Sequence, residues 1–200
     1  FRIQGRKQTS VIVLSVYGPT PTLNSEGSAW SYQAREIEHC RLEGEPMQAD
    51  PRKQFLSDLN KAVARMALGG DDVIIGGDFN LDALALSDWV DSLNLCDYVG
   101  QVTDFHPTFI RNKEVQTCID HVFVSRGLVN EGCIRGGGIF LDSIWGSDHV
   151  PLVVDIDVEK MLQIGEEDLR MSVKRGPVFT SSSLLMVEKF REDIVGEWDK

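Results

Sequence analysis

The sequence predicts a layered α/β domain. Short apolar, β-rich runs alternate along the chain with amphipathic helical stretches, an order that favours helices layered on a sheet over a β-sandwich or a helix bundle. Glycine, proline, asparagine and aspartate bound the runs, and polar side chains gather where the runs end. At 200 residues the chain is one ordinary domain or slightly more, long enough to bury roughly 70% of its unfolded surface.

Val11 to Tyr17 is an apolar run stopped by Gly18-Pro19 and Pro21, which reads as a buried strand ending in a turn. Residues 22–50 are polar and acidic, with a short helix expected around Trp30 to Cys40. So long a connection is either a functional loop or a mobile one. Asp50-Pro51 supplies an N-cap with proline at the first helical position. Phe55, Leu56, Leu59, Val63 and Met66 follow at helical spacing, and Gly69-Gly70 is the expected stop. Val73-Ile74-Ile75 is a second buried strand, running into Gly76-Gly77-Asp78-Phe79-Asn80. A helix is expected over Ser87 to Leu95, a strand over Thr117 to Ser125, and a weaker strand at Ile139 to Leu141. Val150 to Ile156 is the last strand, directly after Gly146-Ser147-Asp148-His149.

Beyond residue 160 the character changes. Glu166-Glu167-Asp168 and Lys174-Arg175-Gly176-Pro177 read as linker, and Val187, Phe190, Ile194 and Trp198 share one helical face. Its opposite face is mixed in charge rather than basic, which favours packing on a protein surface over a membrane.

Composition removes several classes of function. The chain is 42% hydrophobic and 26% charged, which argues against general disorder. No apolar run approaches the ~20 residues that span a bilayer, so no membrane partner is expected. Cys40, Cys96, Cys118 and Cys133 form no CxxC pair, which disfavours a disulfide scaffold or a cysteine zinc site and favours a reducing interior. Twenty basic against 31 acidic residues give a net charge of −11. That disfavours holding nucleic acid by a broad basic surface, but not holding phosphate through a carboxylate-bound metal ion.

Three polar pairs lie just beyond strand ends: Asp78 with Asn80, Asp120 with His121, and Asp148 with His149. Strand ends are where a rigid base can hold catalytic groups. Singly each pair has a plainer reading, since Asp-x-Asn is often an Asx turn and a histidine beside a strand is more often structural. Asp120 is different, because it falls in a strand pattern where a buried carboxylate needs a partner. His149 could be that partner, the carboxylate fixing the imidazole tautomer for acid/base or transition-state work.

Read in order, Tyr17-Gly18-Pro19, Gly77-Asp78-Phe79-Asn80, Ile119-Asp120-His121-Val122-Phe123-Val124-Ser125 and Ser147-Asp148-His149-Val150-Pro151-Leu152 resemble the endonuclease/exonuclease/phosphatase family over about residues 8 to 157. Thr108-Phe109 fills that family's threonine position. The resemblance implies a four-layer α/β sandwich and a metal-dependent phosphodiesterase site. In it Asp78 would orient or deprotonate the attacking water and Asn80 would bond to the phosphate or the nucleophile. His149, held by Asp120, would stabilise charge on the phosphoryl oxygens, whether it or Asp78 is the general base. Asp148 would be a Mg²⁺ ligand, with Mn²⁺ the alternative ion, and Tyr17 would reach a phosphate oxygen. His121 stands where relatives often have tyrosine and reads as structural or peripheral.

The departures shape the expectation equally. The family's opening strands, one ending in asparagine and the next in a metal-binding glutamate, have no counterpart in residues 1–17, and Thr20 stands where abasic-site endonucleases carry asparagine. The expected architecture is therefore a partial sandwich lacking its N-terminal strands: residues 1–157 the C-terminal portion of the domain, 158–200 a linker and amphipathic helix leading onward. The wording "GGDFN", "IDHVFVS" and "SDHVPLVVDI" resembles the retroelement branch, which implies DNA as substrate and a reverse transcriptase region downstream. The 200-residue chain, read as a truncated fragment, is expected to be inactive alone. The alternatives are a phosphomonoesterase acting on inositol phosphates or lipids and a non-catalytic remnant.

Overall fold

The structure is a computed structural model that describes residues 1–7, 9–20, 29–44, 50–67, 70–111, 115–140 and 147–165. The chain divides into two units, Phe1–Ile164 and Gly165–Lys200. The expected linker and the helix carrying Val187 and Trp198 lie outside the described residues.

Strands and helices alternate as expected for a layered α/β domain. A five-stranded sheet has the order β1 (Arg2–Gln4), β2 (Ser10–Tyr17), β3 (Asp72–Asp78), β7 (Asp120–Ser125), β4 (Leu95–Asp97). β2 and β3 are parallel, and every other neighbouring pair in this sheet is antiparallel. A parallel pair needs a crossover, which α1 (Ala29–Leu42) and α2 (Pro51–Met66) supply. The Asp50 side chain accepts from the Arg52 N–H, and Pro51 opens the helix. The helix stops at Met66, with Ala67 already extended, so the end comes before the expected Gly69-Gly70.

Side chains alternate across a strand, and this divides the core. Val73, Ile75 and Phe123 join Leu59 and Val63 of α2 and Leu86, Trp89 and Val90 of α3 (Ala83–Ser92). Ile74 and Val124 belong to a second cluster with Leu128 of α5 (Arg126–Asn130), Ile134 of β8 (Ile134–Ile139), and Met161 and Leu162 of α6 (Val158–Leu162). Ile75 and Val124 have no exposed surface, and each such side chain stabilises the fold by about 1.5–3 kcal/mol. Because α6 buries Met161 and Leu162, the compact unit continues past residue 157.

Several boundaries differ from the expectation for physical reasons. Helix α3 starts earlier because Asp82 caps it through the Ala85 N–H. It also ends earlier, Asn94 turning left-handed (φ 53) before Leu95 enters β4. The run Thr117–Ser125 is two strands, β6 (Val115–Thr117) and β7, and β6 pairs with β5 (Phe109–Arg111). The expected weak strand lies upstream as β8, paired antiparallel with β9 (Leu152–Ile156). Its three central glycines hide it from a hydrophobicity pattern, while Leu141 is outside the described residues. A short helix, α4 (Tyr98–Val102), was not foreseen.

Candidate active site

The site begins where β3 ends. In register, Tyr17 lies opposite Asp78 across β2/β3, and Asp78 lies opposite Asp120 across β3/β7. One end of these three neighbouring interior strands therefore carries all three. Gly77, at φ 152, is required here: a Cβ would strike the Val16 carbonyl oxygen, and that backbone region is essentially restricted to glycine.

Asn80 turns the chain in the left-handed region, φ 51. Its N–H donates to Asp78 Oδ1 at 2.9 Å, and its side-chain amide donates to the Gly18 carbonyl at 2.9 Å. The Asx turn is therefore present, and it also fixes one carboxylate oxygen while Asp78 Oδ2 lies 4.0 Å from His149 Nε2.

Asp120 and His149 meet directly, with Nδ1 2.9 Å from Oδ2 and 3.1 Å from Oδ1. A carboxylate accepts, so Nδ1 donates and Nε2 is left facing the Asp78 side. The side chains are 34% exposed for His149, 12% for Asp78 and 15% for Asp120, so the ring alone opens appreciably to solvent. Beside them is a cleft of about 630 Å³ lined by Ser15, Gly76, Gly77, Val122, Ser147 and the Val150–Leu152 segment, with Asp120 and His149 on its wall.

Thr108 is the post that holds these parts together. It is 2% exposed, and its Oγ1 accepts the N–H groups of Ile119 at 3.1 Å and Asp120 at 3.0 Å. This splits the expected Thr117–Ser125 strand. Its carbonyl accepts from Val150 N–H at 2.7 Å, which draws Val150 out of β9 and sets His149 beside Asp120. The Phe109 ring lies 5.0 Å from the imidazole, and Ser147 Oγ accepts the His149 N–H at 3.0 Å. Thr108→Val removes the acceptor of two N–H groups and is expected to cost about 1–3 kcal/mol, read as a lower urea midpoint with an unchanged slope.

Burial pushes the Asp78 carboxyl above its ordinary value, and Asp120 adds to this, while the Asn80 N–H and His149 oppose it. A carboxyl raised on folding favours the folded state most below its unfolded value of 3.8, and that stability is lost as pH rises through the folded value. Asp78→Asn is therefore expected to raise Tm of the metal-free protein at pH 7, with the gain shrinking as pH falls toward 3.8. Thermal melts in chelator at several pH values measure it.

Cysteine chemistry finds no footing beside the site. All four cysteines are free, and burial, with Asp97, Asp120 and Asp82, pushes the Cys118 thiol up to about 11. At neutral pH it is a thiol rather than a nucleophilic thiolate.

The remaining expected residues are placed less centrally. Tyr17 is 61% exposed at the strand end. Asp148 is exposed, and its backbone carbonyl accepts from Ile110 N–H at 2.7 Å. Among the described residues, the side chains whose ligand atoms gather within 4.8 Å are Asp78, Asp120 and His149. Two carboxylates and an imidazole are a donor set that Mn²⁺ accepts fully and Mg²⁺ accepts through its oxygens. Gly77 and Ser147 stand in the motifs that carry the family resemblance, but the sequence assigned neither a role. The glycine pair before Asp78 and the serine two residues before His149 were the available signals.

The sequence profile of the endonuclease/exonuclease/phosphatase family matches residues 3–149. The chain belongs to this family. Among solved structures, it resembles the endonuclease domain of TRAS1, a telomere-specific non-LTR retrotransposon, at 21% identity and TM-score 0.42, covering 55% of this chain and 53% of that one. It also resembles the 3′ phosphatase NExo from Neisseria, bound to product DNA hairpin, at 18% identity and TM-score 0.47, covering 74% of this chain and 61% of that one. The chain thus spans between half and two thirds of the length of these structures. No curated protein matches it. For this member of the family, no helix among the described residues is long and apolar enough to cross a membrane.

Proposed function

We propose that the Asp78–Asp120–His149 site hydrolyses phosphodiester bonds of DNA, as the endonuclease of a retroelement-type polyprotein. The observation that carries the reading is the placement of one imidazole between two carboxylates, Nδ1 on Asp120 and Nε2 toward Asp78. Family membership supports phosphate-ester hydrolysis, and the wording of the GGDFN, IDHVFVS and SDHVPLVVDI segments supports the retroelement branch.

In this reading Asp78 accepts the proton of the attacking water, with one oxygen already held by the Asn80 N–H. His149 Nε2–H donates to a phosphoryl oxygen as negative charge grows there. Asp120 accepts the Nδ1–H throughout, and its charge stabilises the imidazolium that donates from Nε2. The water oxygen bonds to phosphorus as the ester oxygen departs. Tyr17 and Asn80 contact phosphate from the neighbouring strand ends. A divalent cation, Mg²⁺ in this reading, would be held by the Asp78 and Asp120 carboxylates, with Asp148 as a further ligand, and would supply neutralisation of phosphate charge that a chain of net charge −11 otherwise lacks.

The test presents supercoiled plasmid and an inositol polyphosphate to one preparation, with Mg²⁺, with Mn²⁺ and with chelator. The 200-residue chain is assayed on supercoiled plasmid because one cut per molecule is detectable there. Metal-dependent nicking supports the reading. Phosphate release without nicking moves the protein to the phosphomonoesterase branch.

A further inference from the structure

Strand β7 carries a second histidine–aspartate pair on its other face. Next to Asp120, the His121 side chain turns away from the cleft, as alternation along a strand requires, and is 1% exposed. Its Nδ1 lies 2.5 Å from Asp97 Oδ2, at the end of β4, and the other Asp97 oxygen accepts the Gly100 N–H at 3.0 Å, capping α4. Its Nε2 lies 2.9 Å from the Leu81 carbonyl oxygen. A carbonyl can only accept, so Nε2–H donates.

Leu81 directly follows Asn80, in the turn that presents Asp78 and Asn80. From the strand side, that turn is held by Gly18, whose N–H donates to the Asp78 carbonyl at 2.6 Å and whose carbonyl accepts the Asn80 amide. From beneath, the His121 side chain reaches it through the Leu81 carbonyl. The ring stacks on Phe123 at 5.3 Å and meets the edge of Phe79 at 5.9 Å. Packing alone would be served by a phenyl ring, whereas a buried imidazole is costly unless both nitrogens find partners. Here both partners, the Asp97 carboxylate and the Leu81 carbonyl, are acceptors on different segments, so both ring nitrogens donate and the ring's charge is paired with Asp97.

We propose that His121, oriented by Asp97, is a positioning residue of the hydrolytic site, its Nε2–H holding the Leu81 carbonyl and so fixing the turn that aims Asp78 and Asn80. This rests on the reading that Asp78 and Asn80 act on substrate. The effect belongs in kcat rather than KM, because a misplaced turn lowers the fraction of bound substrate in reacting geometry.

Two variants separate the contacts. Asparagine is short and keeps a polar group near the Nδ1 position, toward Asp97, but cannot reach Leu81. Glutamine puts an amide N–H near the Nε2 position, toward Leu81. At a temperature where both are folded, His121→Asn is expected to lower kcat at least about tenfold with KM within about threefold, while His121→Gln stays within about threefold of the parent. A second readout needs no activity. Amide hydrogen exchange at Asn80 is expected to quicken about tenfold in His121→Asn and not in His121→Gln, with Val124 unchanged in both. An Asn variant of parental kcat, a Gln variant as impaired as Asn, or Asn80 exchange indifferent to both overturns the proposal. If the parent cleaves no phosphate ester yet Asn80 exchange follows the expected pattern, the positioning stands and the hydrolase reading falls.

Discussion

Replacing His149 by alanine is expected to lower turnover by about 10²–10⁴-fold, the range for loss of a positioned acid–base or charge-stabilising group. Of the three clustered side chains the ring is the most exposed, at 34%, and its Nε2 faces Asp78 at the cleft. Its loss also leaves the largely buried Asp120 carboxylate without its partner, so Tm is expected to fall somewhat beside the loss of kcat, which is read at a temperature where the variant is folded. Asp120→Ala is expected to approach the same loss by another route. Without the carboxylate 2.9 Å from Nδ1, the ring keeps neither its tautomer nor its direction. Steady-state nicking rates at saturating plasmid, with melts as a control, measure both.

The largest expected loss of stability is Phe79→Ala, about 3–5 kcal/mol. Phe79 has no exposed surface. Its ring meets Phe123 at 5.0 Å, Trp89 at 5.8 Å and Phe55 at 6.3 Å, joining β7, α3 and α2 beneath the site. Domains are stable by only about 5–15 kcal/mol, so this one side chain is a large share of the total. The cavity would open directly between Asp78 and Asn80, so turnover should fall even at temperatures where the variant remains folded. Urea unfolding followed by tryptophan fluorescence measures the first effect, because Trp89 packs on the missing ring.

What the sequence made legible was whatever chemistry places within a few residues. The Asp50-Pro51 cap gave the start of α2, the apolar triplet Val73 to Ile75 gave β3, and the polar pairs contained the three clustered side chains Asp78, Asp120 and His149, along with His121 and Asp148, which lie outside the cluster. The pairing of Asp120 with His149 followed from the rule that a buried carboxylate needs a partner. Hidden from sequence was what depends on register and on distant contacts. Residues 78 and 120 face each other because β3 and β7 pair antiparallel in one register. β4 is three residues long, too short for periodicity to show. Thr108 entered only through the family resemblance, yet its hydroxyl and carbonyl place both Asp120 and His149. Asp97 and His121, 24 residues apart, gave no local signal of their contact.

In the proposed mechanism Asp120 and His149 work as one unit on a phosphate ester. A double-mutant cycle tests it most directly: plasmid nicking by the parent, His149→Ala, Asp120→Ala and the double variant, all in Mg²⁺. Residues that act together are not additive, so the double variant is predicted to lose little more than His149→Ala alone. Losses that multiply, or nicking that survives in His149→Ala at the parental rate, would contradict it.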